Sequence, residues 1–154
     1  MAVDYFLKID GIKGESVDSK HKDEIDIESF SWGVAATQGA AGPRGGRAGK
    51  ASISDFSFAI RMSKASPQLL EACATGKHFP KAILTARKSG GSQLDFLKVT
   101  LEEVLISSYQ TSGSGQTDTI EQIAVSFDTA TFQYVPQKPD GSAGPPVTAF
   151  IKSK

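Results

Sequence analysis

Gly42 to Lys50 (GPRGGRAGK) has the glycines and the lysine of a loop that cradles phosphates with backbone N–H groups. The match fails in detail. The position five before Gly49 is Arg44 instead of glycine, Ala51 stands where a magnesium-binding hydroxyl belongs, and the following residues read as a strand where a helix is required. What survives is a local basic patch of Arg44, Arg47 and Lys50. No aromatic residue is interleaved to stack on bases, so docking onto a neighbouring protein is favoured over nucleic acid, with a merely solvated loop as the alternative. A metal site would draw on His21, His78 and Cys73, which lack paired ligand spacing. Cys73 reads as a small buried hydrophobe and His78 as a residue suited to a helix C-terminus. The remaining candidates are carboxylates, at Asp23, Glu24, Asp26 and Glu28 and at Glu102 and Glu103. Asp26 and Glu28 alternate with Ile25 and Ile27 as on the wet face of a strand, and nothing in the sequence signals a raised pKa there. No catalytic residue, cofactor or metal is therefore nominated, and an enzyme is not expected.

These residues must be carried by strands. The 154 residues suit one domain, 1–154, with one core. Seventeen basic residues balance seventeen acidic ones, which leaves no net field to draw the chain onto nucleic acid or a membrane. Asp4, Lys8 and Asp10 interrupt any apolar leader in the first ten residues, no run approaches a membrane span, and one cysteine cannot form an intrachain disulfide, so a chain folded in the cytoplasm without a Sec signal is expected.

Period-two alternation dominates, so the fold is expected to be mainly β. Val3, Tyr5, Leu7 and Ile9 mark a first strand, with Phe6 out of phase. The apolar parity then changes between Glu28 and Ser29, as a bulge would produce. Further strands contain Phe56 to Met62 and Ala82 to Ala86. Leu94 to Tyr109 and Thr119 to Val135, joined by the turn-rich Gln110 to Gln116, read as a long hairpin. Apolar residues of both parities in its two strands suggest faces covered on both sides over part of their length. One short helix is predicted, with Ser66 as N-cap, Pro67 at the first position, Leu69, Leu70 and Cys73 as its stripe and Gly76 as terminator. Thr37 to Lys50 has five Gly and no large apolar residue, and reads as a long exposed loop.

Several motifs are specific. Tyr5 to Gly33 contains KGES (Lys13 to Ser16), EID (Glu24 to Asp26) and SWG (Ser31 to Gly33). SPQLLEACATGKHFP (Ser66 to Pro80), AILTARK (Ala82 to Lys88), LEEVLISSYQTSGSG (Leu101 to Gly115) and FQYVPQKPDGS (Phe132 to Ser142) follow. Through these the chain resembles, over nearly its whole length, the haemolysin-coregulated protein (Hcp) family, the tube proteins of type VI secretion. It departs at the end, where Ala149-Phe150 stands in place of the Gly-Trp or Gly-Tyr of many relatives.

The resemblance implies a β-barrel of two packed sheets with one flanking helix. It further implies a homo-hexameric ring, stacking of rings into a hollow tube, and effector proteins held in the lumen. The expected partners are the spike protein, contractile sheath and effectors of the apparatus, with export through that apparatus. A phage or pyocin tail-tube protein and a secreted β-sandwich binding module are the alternatives. Because the strand around Trp32 lies near the lumen wall in the family, Ser29 and Ser31 are the candidate lumen residues. Gly42, Arg44, Arg47 and Lys50 are the candidate ring-stacking or subunit-docking residues.

Overall fold

The computed structural model describes residues 3–38, 48–88 and 93–153. Its strands are β1 (Val3–Ile9), β2 (Ile25–Ser31), β3 (Val34–Gln38), β4 (Ala48–Ile53), β5 (Phe56–Arg61), β6 (His78–Lys88), β7 (Leu94–Ser114), β8 (Thr117–Ser126), β9 (Thr129–Tyr134) and β10 (Val147–Lys152). One helix, α1 (Ser66–Thr75), lies between β5 and β6. The mainly β expectation holds.

The hairpin predicted from two long alternating segments organises the barrel. β8 and β9 run along the same edge of β7, with Leu105 opposite Ser126 and Glu102 opposite Thr129, so together they form one antiparallel partner. A two-residue turn, Gly115-Gln116, closes it, and β7 therefore extends through most of the stretch predicted as turn. On its other edge β7 pairs with β6, and β1, β2, β5 and β8 follow in order until β8 meets β7 again. Six strands thus close into a barrel whose packed layers are opposite arcs of one sheet, which removes their free edges. β9 and β10 continue outside the closure.

Two parity changes have local causes. The register between β2 and β5 shifts between Ile27 and Ser29, which keeps Ile25 and Ile27 buried while turning Phe30 and Trp32 toward the core, the bulge expected from sequence. In β7, Leu97, Val99 and Leu101 are buried on one parity and Val104 and Ile106 on the other. Glu103, at φ 54, reverses the phase between them. The expectation that this strand is covered on both faces is corrected: one face stays inward, and a left-handed residue restores it after the phase slips.

The helix differs from its prediction in two respects. Ala65, in right-handed helical geometry, is the N-cap and no side chain caps the helix. Ser66 instead accepts the Ser63 N–H at 3.0 Å and donates to Glu121. Its buried stripe is Ser66, Leu69 and Ala72, whereas Leu70 is exposed. Gly76 does terminate it, in left-handed geometry at φ 69. β3 and β4 pair with each other, so strand structure enters both ends of the segment expected as loop. Among the described residues no helix is long and apolar enough to cross a membrane.

Candidate functional site

Ser29 and Ser31 both lie on the outer face of β2 and are exposed, while Phe30 and Trp32 between and beside them pack on the core. Register extends that outer face sideways. Ser31 is opposite Ser57, Ser57 opposite Ala124, and Ala124 opposite Ser108; Ser29 is opposite Ala59, Ala59 opposite Gln122, and Gln122 opposite Gln110. Since directly opposed residues share a face, two cross-strand rows of small or amide side chains run over β2, β5, β8 and β7 with no charge in either. Such a wall offers hydrogen bonds and shallow contacts but no strong electrostatic trap.

Trp32 fixes the end of this wall. Its indole Nε1–H donates to the Ser54 carbonyl at 3.0 Å, and its ring stacks on Phe56 with centroids 5.0 Å apart. Ser54 Oγ in turn accepts the Gly33 N–H and donates to the Gly33 carbonyl. The SWG motif therefore clamps the stem of the β3–β4 hairpin to the barrel. Of the candidate docking residues, Gly42, Arg44 and Arg47 lie outside the described residues, and Lys50 is in β4.

The KGES and EID motifs build a segment that crosses outside the barrel between β1 and β2. Gly14 N–H donates to the Asp23 carbonyl at 2.8 Å and Ser16 N–H to the Glu24 carbonyl at 3.0 Å. A Cβ on Gly14 would stand 2.5 Å from the Glu24 carbonyl oxygen, so only glycine fits. This segment explains why Phe6 falls out of phase yet is buried. Its ring points away from the barrel core and is sandwiched between His21, stacked at 4.5 Å, and the Arg87 guanidinium, 5.0 Å from its centroid. Arg87, 3% exposed, makes a two-pronged contact with Asp18 at 2.7 and 2.8 Å. That contact holds the Asp18 carboxyl far below the usual carboxylate range.

Carboxylate chemistry divides differently from the sequence expectation. Asp26 is raised above its ordinary value, first by desolvation and then by the charges of Asp4, Asp18, Glu15 and Glu28, although no sequence signal marked it. Glu121, wholly buried, was not singled out at all. It accepts hydrogen bonds from Ser66 and Tyr109 and so ties α1, β8 and β7 together. Burial and that contact push the Tyr109 phenol up to about 12. Its position on the buried parity of β8, with Ile123 and Val125, was the available signal. Among the described residues no three His, Cys, Asp or Glu side chains converge for a metal.

The least satisfied apolar surface lies where β9 and β10 leave the barrel. Val147 pairs with Tyr134 and Ala149 with Phe132, which puts all four on one face. Phe132, Tyr134 and Val147 are 38, 45 and 66% exposed, and Phe150, on the opposite face, is 61% exposed. Among the described residues β10 pairs only with β9, which leaves its other edge without a strand partner there.

A closed six-stranded barrel with a crossing segment, one flanking helix and a projecting ribbon makes the described residues a mainly β, closed-barrel protein. The sequence profile described as "Type VI secretion system effector, Hcp" matches residues 6–134. Protein hcp1 of Pseudomonas aeruginosa is 45% identical over 144 residues, covering 92% of this chain and 89% of that protein. The crystal structure of Hcp1 from Salmonella typhimurium superposes with a TM-score of 0.81 at 37% identity, covering 99% of this chain and 96% of that one. A type VI secretion system effector from Yersinia pestis gives 0.80 at 37% identity, over 97% and 99%. This chain belongs to the Hcp family of type VI secretion proteins.

Proposed function

We propose that the protein is the tube subunit of a type VI secretion apparatus: a non-enzymatic protein that forms homo-hexameric rings, stacks them into a hollow tube and carries effectors in the lumen. The observation that carries this reading is the β9–β10 ribbon. Apolar residues on both faces of a two-stranded extension, one edge of which has no strand partner among the described residues, are costly in water and are stabilised when a neighbouring copy covers them. Repeating that contact around an axis closes a ring.

On this reading the uncharged rows through Ser29 and Ser31 line the channel. A lumen that must release what it carries gains from many weak contacts, and small neutral side chains supply them. Spike protein, sheath and effectors are the partners expected from family membership, and export proceeds through the apparatus. Negative-stain microscopy of the purified protein tests the ring, with open-centred particles expected; compact monomers at high concentration would refute it. Ser31→Gln tests the lumen assignment, since it should leave rings intact while reducing co-purification of cargo. Unchanged cargo retention would remove Ser31 from the channel wall.

A further inference from the structure

We infer that a cleft on the outer face of β1, β6 and β7 binds a small, multiply charged oxyanion through Lys8, Lys20 and Lys98. All of this cleft belongs to one copy of the chain, so it stands independently of the ring reading.

Register brings the donors together. Phe6 is opposite Thr85, Thr85 opposite Lys98 and Lys98 opposite Gln133, while Lys8 is opposite Ile83, two residues further along. Directly opposed residues share a face, and because Leu7, Leu84 and Val99 fill the core, these side chains point outward. Lys8 and Lys98 stand on the two neighbours of β6, roughly 10 Å apart across the sheet, close enough for two extended lysines to meet over Ile83 and Thr85. Lys20 closes a third side from the crossing segment. Its backbone N–H donates to Asp18 at 3.0 Å, and Asp18 is locked to Arg87. The cleft has a volume of about 280 Å³, below the roughly 300 Å³ at which drug-sized ligands begin to fit, so its occupant is small.

Charge decides what that occupant is. Glu24 and Asp95 also line the cleft, but both turn to His21, with Glu24 at 2.9 Å from Nδ1 and Asp95 at 3.4 Å from Nε2. Among the described residues the ion pairs are made by His21, Arg61 and Arg87, and none by Lys8, Lys20 or Lys98. Exposed ammonium groups aimed at one hollow repel one another until an anion sits between them. The Thr85 hydroxyl and the Gln133 amide add neutral donors that can orient its oxygens. The Asp95 carboxylate, 44% exposed, opposes an anion there, so replacing it should tighten binding.

Calorimetric titration of pyrophosphate into the intact protein, at ionic strength held constant with sodium chloride, tests the site. Saturable binding is expected. Lys8→Gln and Lys98→Gln should each weaken it about tenfold, as loss of a charge-assisted hydrogen bond does. Asp95→Asn should strengthen it, and Lys64→Gln, which removes an exposed lysine outside the cleft, should leave it unchanged. A triglutamate peptide in place of pyrophosphate separates the sources of the oxyanion. Tighter pyrophosphate binding points to a free phosphate compound and tighter peptide binding to the acidic side chains of a partner protein, and either one, weakened by Lys98→Gln, supports the cleft. No saturable binding of either probe, lysine variants that bind like the parent, or a loss in Lys64→Gln equal to that in Lys98→Gln would overturn it.

Discussion

At the scale of single residues, the segment between β1 and β2 shows how a sequence motif becomes a packing constraint. Gly14 has no room for a Cβ because backbone atoms of Glu24 and Ile25 stand 2.5 and 2.7 Å from where it would be. Backbone cannot swing aside as a long side chain can, so Gly14→Ala should destabilise the fold by about 1–3 kcal/mol, read as a lowered urea midpoint with an unchanged m-value. The carboxylates next to it differ in sign. Asp18, held down by Arg87, contributes stability that is present above its unfolded pKa and is lost as pH falls through the lower folded value. Asp26 is raised in the folded state, so it opposes folding at neutral pH, and the opposition disappears below its unfolded pKa. Thermal melts should show Asp26→Asn stabilised at pH 7 relative to the parent, with the gain vanishing below about pH 4, the ordinary carboxylate range. A gain that persisted in acid would trace to something other than this titration. None of this was legible beforehand, because Asp26 alternates with Ile25 and Ile27 like any solvated residue, and what raises it is burial first and then the charges of Asp4, Asp18 and Glu15 on other parts of the chain.

At the scale of elements, what was legible follows from periodicity and what was not follows from contacts between distant segments. The first strand, the bulge after Ile27, the long hairpin and the Gly76 terminator each had a local cause that the sequence displays. The phase reversal in β7 had one too, in the mixed parity of Leu101, Val104 and Ile106, but residues opposite in phase look the same whether a strand is covered twice or bulged once. Glu103 decides it. A non-glycine residue at φ 54 is strained, and Glu103→Gly should stabilise the protein by about 1 kcal/mol, the left-handed cost relieved less the entropy glycine adds to the unfolded chain. Chemical denaturation measures it directly, and a loss of stability would mean that the Glu103 side chain makes contacts worth more than the strain. The helix was misread at its start because Ser66 is an attractive cap in isolation, whereas Glu121, 55 residues further on, recruits its hydroxyl. A buried carboxylate needs each of its donors. Tyr109→Phe removes one and should cost about 1–3 kcal/mol, with α1 losing protection from hydrogen exchange first.

At the scale of the whole molecule, closing six strands satisfies the edges of the barrel, and much of the unsatisfied apolar surface moves to β9 and β10, two of the four strands left outside. β10 carries Ala149 and Phe150 in its middle, and Phe150 faces away from the side that holds Tyr134 and Val147. A ribbon with apolar residues on both faces needs two covers, and the barrel supplies only part of one, through Trp32 stacking on Phe132 at 6.5 Å. On the proposed ring reading the neighbouring copy supplies the rest. Val147→Lys and Phe150→Lys together place charge in that contact while removing little that packs within one copy, because both residues are more than half exposed. The doubly substituted protein should therefore keep its unfolding free energy within about 0.5 kcal/mol per site, as surface changes usually do, and sediment as a monomer. Rings that survived both lysines would move the subunit contact off the ribbon. On the ring reading the wall carrying Ser29 and Ser31 would then have to be reassigned with it, because that reading uses the ribbon contact to orient each copy.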